Sequence, residues 1–175
     1  MLQVTETPIG PLFMEVSAAG ISRIDFQPFP VGGDDHESPA AQELLDAAAQ
    51  EIDEYFRGVR VAFDLPIDFA TGTSFQKSVW RTIEGIGHGE TLTYREVAAM
   101  VGSPNAYRAA GSACARNPIV ILIPCHRVVG SDRGLHGFGG GLDVKEWLLQ
   151  HEGSLDRFAT GKRVVRRTSS PAVLV

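Results

Sequence analysis

A run of five aliphatic residues, Ile119-Val120-Ile121-Leu122-Ile123, is stopped by Pro124 and followed at once by Cys125, His126, Arg127 and the apolar pair Val128-Val129. Five consecutive aliphatic side chains are costly to leave in water, so this stretch belongs in a core. Proline then breaks any regular continuation. The chain must therefore deliver a thiol and an imidazole at the end of a rigid, dry segment. A thiol of pKa about 8.5 is mostly protonated at neutral pH and only the thiolate is a strong nucleophile, so a nearby base or positive field is what makes such a cysteine a reagent. His126 is adjacent, but neighbouring side chains tend to point apart, and a buried cysteine is commonly a small inert hydrophobe. The dipeptide alone leaves both readings open.

At 175 residues the chain is long enough to bury a core, as one domain or two small ones. No apolar run is long enough to span a membrane, and Met1 to Glu6 lacks the basic start and apolar centre of a signal peptide, so a soluble, cytoplasmic protein is expected. The two cysteines, Cys114 and Cys125, suit a reducing compartment, and neither they nor the five histidines follow a metal-ligand spacing. No metal is expected. The formal net charge of −5 speaks against a nucleic-acid binder when taken whole. Its distribution is uneven: residues 1–72 carry three basic and thirteen acidic side chains, residues 73–153 eight and seven, and residues 154–175 five and one. Any polyanion is therefore confined to the second part of the chain, unless both faces are simply solvated.

Three apolar stretches, Leu2 to Thr5, Leu12 to Ser17 and Ile21 to Phe26, separated by Pro8-Ile9-Gly10-Pro11 and Ala19-Gly20, predict an antiparallel meander. Pro28 to Pro39 reads as a polar connection. Apolar residues recur at intervals of three and four from Ala41 to Phe56, predicting an amphipathic helix over 39–56 stopped by Gly58. Alternation in Phe63, Leu65, Ile67 and Phe69 predicts a further strand. No residue of this first domain, 1–72, carries a chemical signal.

A boundary falls at Ala70-Thr71-Gly72-Thr73. Ser74 is read as the cap of a helix reaching about Gly85. Thr93 caps the next, Tyr94 to Val101, with Glu96 completing a capping box. Gly102-Ser103-Pro104 joins it to a helix over Asn105 to Arg116, a spacing that fits a helix-turn-helix. In this second helix Ala106, Ala109, Ala110, Gly111, Ser112, Ala113 and Ala115 are small, while Tyr107, Arg108 and Arg116 are long. Small residues admit close approach to a groove, with one arginine projecting. They equally admit tight packing in a core, and composition does not separate the two. Beyond the cysteine come a turn at Ser131 to Gly134, a glycine-rich loop over Leu135 to Gly141, and a helix over Asp143 to Gln150 with Val144, Trp147 and Leu148 turned inward. Glu152 follows, either a surface carboxylate or one that orients an imidazole.

Taken together, Gly89 to Tyr94, Pro104 to Gly111, Asn117-Pro118, Ile123 to Val129, and Gly140-Gly141 through Lys145-Glu146-Trp147-Leu148-Leu149 to His151-Glu152-Gly153 closely resemble the O6-alkylguanine-DNA alkyltransferases, or methylated-DNA–protein-cysteine methyltransferases. The resemblance covers residues 73–153 and extends more weakly over 1–72. It implies an α/β protein in two parts, with a ribonuclease-H-like first domain of antiparallel strands and a helix. The second part is mostly helical, with a winged-helix-like helix-turn-helix, over 73–153, and a basic tail occupies 154–175. It implies a suicidal, single-turnover transferase that repairs DNA by moving the alkyl group of O6-alkylguanine, and of O4-alkylthymine, in duplex DNA onto Cys125, with no cofactor. A monomer is expected, with cooperative loading on DNA left open. Carried over residue by residue, His126 accepts the thiol proton through a bridging water, Glu152 holds the imidazolium, Tyr94 donates to the leaving base, and Asn117 braces the cysteine segment. Arg108 is the finger that fills the space of the flipped base. Ala106, Ala109, Gly111 and Ser131 lie against DNA, while main chain at Cys125 and Val128 reads the base edge, with Phe138 and Gly139 closing the pocket.

Some members have tyrosine where this chain has Phe138, and some have serine at the place of Gly139, so the range of alkyl groups is the point on which this chain departs. A zinc site in the first domain of some members has no counterpart, because no cysteine precedes Cys114. Cys114 is read as a packing residue. Two rival readings stand beside this one: a cysteine hydrolase built on Cys125, His126 and Glu152, and a sensor that binds alkylated bases without repairing them, although such relatives lack the cysteine.

Overall fold

In a computed structural model of the chain, which describes residues 2–30, 38–132 and 134–155, the meander forms as the alternation predicts. Strands β1 (Leu2–Thr5), β2 (Leu12–Ser17) and β3 (Gly20–Asp25) pair antiparallel in that order. Leu12, Met14 and Val16 project to one face of β2 and are buried, as the two-residue period of a strand requires. Helix α1 (Pro39–Phe56) covers that face with Leu45, Ala48, Ile52 and Tyr55. It opens on Ser38, whose side chain accepts from the Ala41 N–H, and Gly58 follows its end at φ 73°.

The strand expected over Ala62 to Phe69 does not form. Phe63, Leu65, Ile67 and Phe69 alternate as read, but the segment meets β3 in one parallel bridge, Ile21 to Ile67. Ile21 N–H donates to Pro66 O at 2.7 Å and Asp68 N–H to Ile21 O at 2.9 Å. Pro66 has no N–H to extend the ladder. The contact is close enough that a Cβ at Gly20 would overlap the Pro66 carbonyl.

In the second half, α2 (Ser74–Glu84) begins one residue before the position read from sequence. Its cap is Thr73, which accepts from the Gln76 N–H while Gln76 accepts from the Thr73 N–H, a reciprocal box that Ser74 does not make. Strand β4 (Leu92–Thr93) leads into α3 (Tyr94–Met100), where the Thr93 and Glu96 box is present. Helix α4 spans Tyr107–Ala115; Pro104 and Asn105 lie in the preceding turn, held by Ala106 N–H on Ser103 O, and not in the helix as expected. Trp80 of α2 donates to Ala113 O at 2.9 Å and fastens α2 to α4.

The aliphatic run is buried throughout, yet it forms neither helix nor strand. It lies beside β3, with Ile24 N–H on Pro118 O and Val120 N–H on Ile24 O, and so ties the second half to the first. Ile121 turns at φ 73°, the one non-glycine residue at positive φ among the described residues. The chain then makes a single turn of 3-10 helix at Cys125–Arg127 and a short strand β5 (Val128–Val129) parallel to β4. Helix α5 (Leu142–His151) closes the fold. Its buried residues are Lys145, Leu148 and Leu149, whereas Val144 and Trp147 are half-buried; the inward face is rotated from the one read in sequence. Among the described residues no helix is long and apolar enough to cross a membrane.

Candidate active site

Pro124 ends the aliphatic run and the next turn presents Cys125, 6% exposed, with its N–H on Ile123 O at 2.8 Å. Asn117 holds the segment from the side. Its Nδ2 donates to Ile123 O at 2.7 Å and to Cys125 Sγ at 3.1 Å, while Oδ1 accepts from the Ile119 N–H at 3.1 Å. Burial pushes the Cys125 thiol above its ordinary range, and the Asn117 hydrogen bond and the Lys145 charge pull it back. The resting group is a thiol, with a donor and a cation ready for the thiolate.

His126 is buried completely; its backbone N–H helps hold the Cys125 thiol down, while its ring is committed elsewhere. Its Nε2 lies 2.9 Å from Glu152 Oε1. Burial drives the imidazole below its ordinary pKa against the opposing pull of Glu152. Burial also acts to raise the Glu152 carboxyl, but hydrogen bonds from His126 and Arg127, with the Arg127 charge, overcome it and hold the group well below the usual carboxylate range. A neutral imidazole against an ionised, acceptor-only carboxylate carries its proton on Nε2 and its lone pair on Nδ1. Nδ1 has no hydrogen-bond partner among the described residues. It is the one ring nitrogen of His126 left uncommitted.

Glu152 gathers more than the histidine. Arg127 donates from Nε to Oε2 at 2.9 Å and from Nη2 to Oε1 at 2.8 Å, and its Nη1 donates to Ile86 O. Tyr55, from the first domain, donates to Oε1 at 2.7 Å. Lys145, fully buried on α5, donates to Val128 O at 2.6 Å and His136 O at 3.1 Å. Burial lowers its pKa, and the nearby Cys125 and Cys114 work in the other direction.

Beside this network lies a cavity of about 510 Å³, lined by Tyr94, Tyr107, Arg108, Gly111, Phe138 and Gly139 among others. That volume is of the size that holds a small molecule. Tyr94 lines it and stands near both cysteines; burial foremost, and then the two sulfurs, push its phenol up to about 12, so it stays a proton donor. Phe138 meets Phe26 of the first half edge-on at 5.5 Å. Helix α4 turns Ala110, Ala113 and Cys114 inward and leaves Arg108, Ala109, Ser112 and Ala115 exposed, so the small residues serve both the core and an open face. The rings and guanidiniums there are grouped: Tyr107 lies between Arg95, 4.7 Å from its centroid, and Arg108, at 5.3 Å.

The remaining sequence-derived candidates are dispersed. Ala106 is half-buried before α4, and Ser131 is exposed in its turn. Val128 is buried and does not line the cavity; its N–H donates to Cys125 O and its carbonyl accepts from Lys145. Burial above all raises the Cys114 thiol to about 12, consistent with a packing residue. The basic stretch Lys162 to Arg167 lies outside the described residues.

Three residues that sequence reasoning gave no role, Tyr55, Arg127 and Lys145, carry much of the site. Two had a signal. Tyr55 extends the buried stripe of α1 three residues past Ile52, and a buried hydroxyl needs a partner. Lys145 precedes the buried Leu148 and Leu149 by three and four residues, and a lysine on an apolar face is expensive unless bonded.

A buried cysteine braced by an amide, a neutral histidine backed by a carboxylate, and an adjoining cavity beside a pair of short helices make an arrangement that can support chemistry on a cysteine. Two family models match the chain: 6-O-methylguanine DNA methyltransferase, ribonuclease-like domain, over residues 2–69, and 6-O-methylguanine DNA methyltransferase, DNA binding domain, over residues 74–154. The chain is 44% identical over 153 residues to the methylated-DNA–protein-cysteine methyltransferase of Methanosarcina barkeri, covering 85% of this chain and 94% of that one. The Haemophilus influenzae protein of the same name is 40% identical over 152 residues, covering 83% and 82%. The crystal structure of Mycobacterium tuberculosis OGT in complex with DNA superposes with a TM-score of 0.74 at 34% identity, covering 87% of this chain and 92% of that one. The chain belongs to the 6-O-methylguanine DNA methyltransferase family, in agreement with the resemblance and the two-part α/β fold read from sequence.

Proposed function

We propose that this protein repairs alkylated DNA by moving the alkyl group of O6-alkylguanine, and of O4-alkylthymine, from duplex DNA to Cys125 Sγ, once per molecule. The observation that carries the reading is the pairing of Cys125, held by Asn117, with a neutral His126 whose Nε2 is committed to Glu152. An alkyl carbon on an aryl oxygen is a soft electrophile and is met by a thiolate. In the proposed step the Sγ proton passes to His126 Nδ1 through a bridging water, and the sulfur lone pair forms the S–C bond as the C–O6 bond breaks. The electron pair leaves on the base. Tyr94, protonated and lining the cavity, donates to the departing base and offsets its charge. Glu152, fixed by Arg127, stabilises the imidazolium that forms. The thioether has no route back, so each molecule acts once.

The base has to leave the helical stack, at a cost of a few kcal/mol. The exposed small residues of α4, among them Ala109, let the helix approach the minor groove, and Arg108 enters the space the base vacates. Ala106, Gly111 and Ser131 are assigned to the same DNA face. Val128, Phe138 and Gly139 are assigned to the base pocket, where the phenyl ring of Phe138 stacks and main-chain groups make the polar contacts. The domain division is 1–72 for the first domain, 73–153 for the DNA-binding and transfer domain, and 154–175 for a tail. A reagent that must stay a free thiol suits the reducing cytoplasm.

The test is intact-protein mass spectrometry after mixing with an equimolar duplex holding one O6-methylguanine. A gain of one methylene unit on Cys125, saturating at one per molecule and absent in Cys125→Ala, is expected. Tight lesion binding without a gain points to a sensor, and turnover of a small acyl substrate points to a hydrolase.

A further inference from the structure

Helix α1 grips the end of α5 at two successive residues. The Tyr55 carbonyl accepts from His151 Nε2 at 2.8 Å, and the Tyr55 hydroxyl donates to Glu152 Oε1 at 2.7 Å. The tyrosine is fully buried, its ring packed edge-on or tilted against Phe56, Phe63, His88 and His151 at centroid separations of 5.2 to 6.3 Å. An aromatic ring would fill that space without a hydroxyl. The hydroxyl is aimed at one atom, and that atom serves the site.

Three donors converge on Glu152 Oε1: Tyr55 Oη at 2.7 Å, Arg127 Nη2 at 2.8 Å and His126 Nε2 at 2.9 Å. Oε2 takes Arg127 Nε at 2.9 Å and, more distantly, Gly89 N–H at 3.5 Å. A carboxylate offers about four lone-pair positions over its two oxygens, so donors to one oxygen compete. Electron density drawn by the tyrosine is withheld from the imidazole. The other titratable groups around the pair are His88 and His151, against the Tyr55 ring, and Lys145 and Cys125, near His126. None of these four has a hydrogen bond to the carboxylate.

We propose that Tyr55, a residue of the first domain, is a positioning residue for alkyl transfer: its hydroxyl shares Glu152 Oε1 with His126 Nε2 and thereby sets the basicity of His126 Nδ1. The inference rests on the reading of Cys125 as the alkyl acceptor. It gives the first domain a part in the chemistry through one hydrogen bond.

The experiment is the single-turnover rate of Cys125 methylation by a duplex containing O6-methylguanine, followed by mass spectrometry as a function of pH. Wild type, Tyr55→Phe and Tyr55→3-fluorotyrosine are compared. The reaction needs neutral His126, so the rate falls as pH drops through the His126 pKa. Loss of the hydroxyl leaves more carboxylate density to the imidazolium and raises that pKa. The acid limb of Tyr55→Phe is expected to move up by about half a pH unit, or about threefold in rate on the limb. Fluorotyrosine is a stronger donor, and its limb moves down. Three coincident limbs, even with a uniform loss of rate, reduce Tyr55 to packing and overturn the proposal. Should Tyr55→Phe not fold, the single fluorine carries the test, and an unmoved limb there is equally fatal. A wild-type protein that gains no methyl group overturns the alkyl-acceptor reading itself, and the role of Tyr55 with it.

Discussion

Arg127 meets Glu152 with two parallel hydrogen bonds, Nε to Oε2 at 2.9 Å and Nη2 to Oε1 at 2.8 Å, in a pair whose side chains are 7% and 0% exposed. The planar fork of a guanidinium matches a carboxylate in a way no lysine can. Removing one partner of such a pair strands a buried charge, at a cost of about 3–5 kcal/mol. Arg127→Met is therefore expected to lose stability on that scale in urea unfolding, since it also leaves Ile86 O without its donor. Arg127→Lys keeps the charge and loses the fork, and should fall between. A loss below about 1 kcal/mol in Arg127→Met would mean that solvent reaches the pair.

Stability is expected to decline with acid in two stages. His126 sits below its ordinary pKa of 6.5 because burial disfavours the charged ring. The unfolded chain binds that proton first, so stability is lost as pH falls below about 6.5. Glu152 is held below its ordinary 4.5, where burial is outweighed by His126 and Arg127. Its contribution is complete above that value and drains away as pH falls further. The thermal midpoint followed from about pH 8 to pH 2 should therefore drop first gently and then, below about 4.5, more steeply. A level midpoint across that range contradicts both assignments.

Asn117→Ala should weaken the fold and slow the chemistry together. The change leaves Ile119 N–H without its acceptor, at about 1–3 kcal/mol for a buried group left unpaired, and takes one of two donors from Ile123 O, which keeps the Cys125 N–H. It also removes the donor that lowers the Cys125 thiol, so the pH at which Cys125 reacts with a small alkylating agent should rise. Asn117→Asp retains an acceptor for Ile119 N–H but sets a negative charge beside the sulfur. It should react more slowly than the alanine variant despite the retained bond; a faster reaction would show that bracing outweighs charge.

Arg108→Ala is expected to cost little stability, because the side chain is exposed. Under the proposed finger role its effect should appear on duplex substrate and be much smaller on free O6-methylguanine base. Rates measured on both substrates decide it. Equal losses would remove the finger role and leave Arg108 as a wall of the cavity beside Tyr107.

Local rules carried the reading far along this chain. Alternation placed the meander, three-and-four spacing placed α1, and the Thr93 and Glu96 box marked the start of α3, each because the information lies within a few residues. Where two local rules competed, the reading slipped. Thr73 and Ser74 are both good caps, and the choice falls to the residue whose Gln76 partner closes the box. The alternation of Phe63 to Phe69 is real, yet a strand also needs a neighbour with free donors, and Pro66 meets β3 at one bridge.

The amino-acid sequence by itself determined that a cysteine and a histidine would stand at the end of a buried aliphatic run, and the order of its motifs was specific enough to indicate the family. It could not determine which groups surround Glu152. The carboxylate collects Tyr55 from ninety-seven residues away, His126 from twenty-six and Arg127 from twenty-five, and no periodicity or turn rule reaches across such separations. Those donors meet because α1, the 3-10 turn and the end of α5 pack against one core. Once they meet in a dry interior, their hydrogen bonds and charges set one another's protonation, which is a property of the assembled site and of no segment within it.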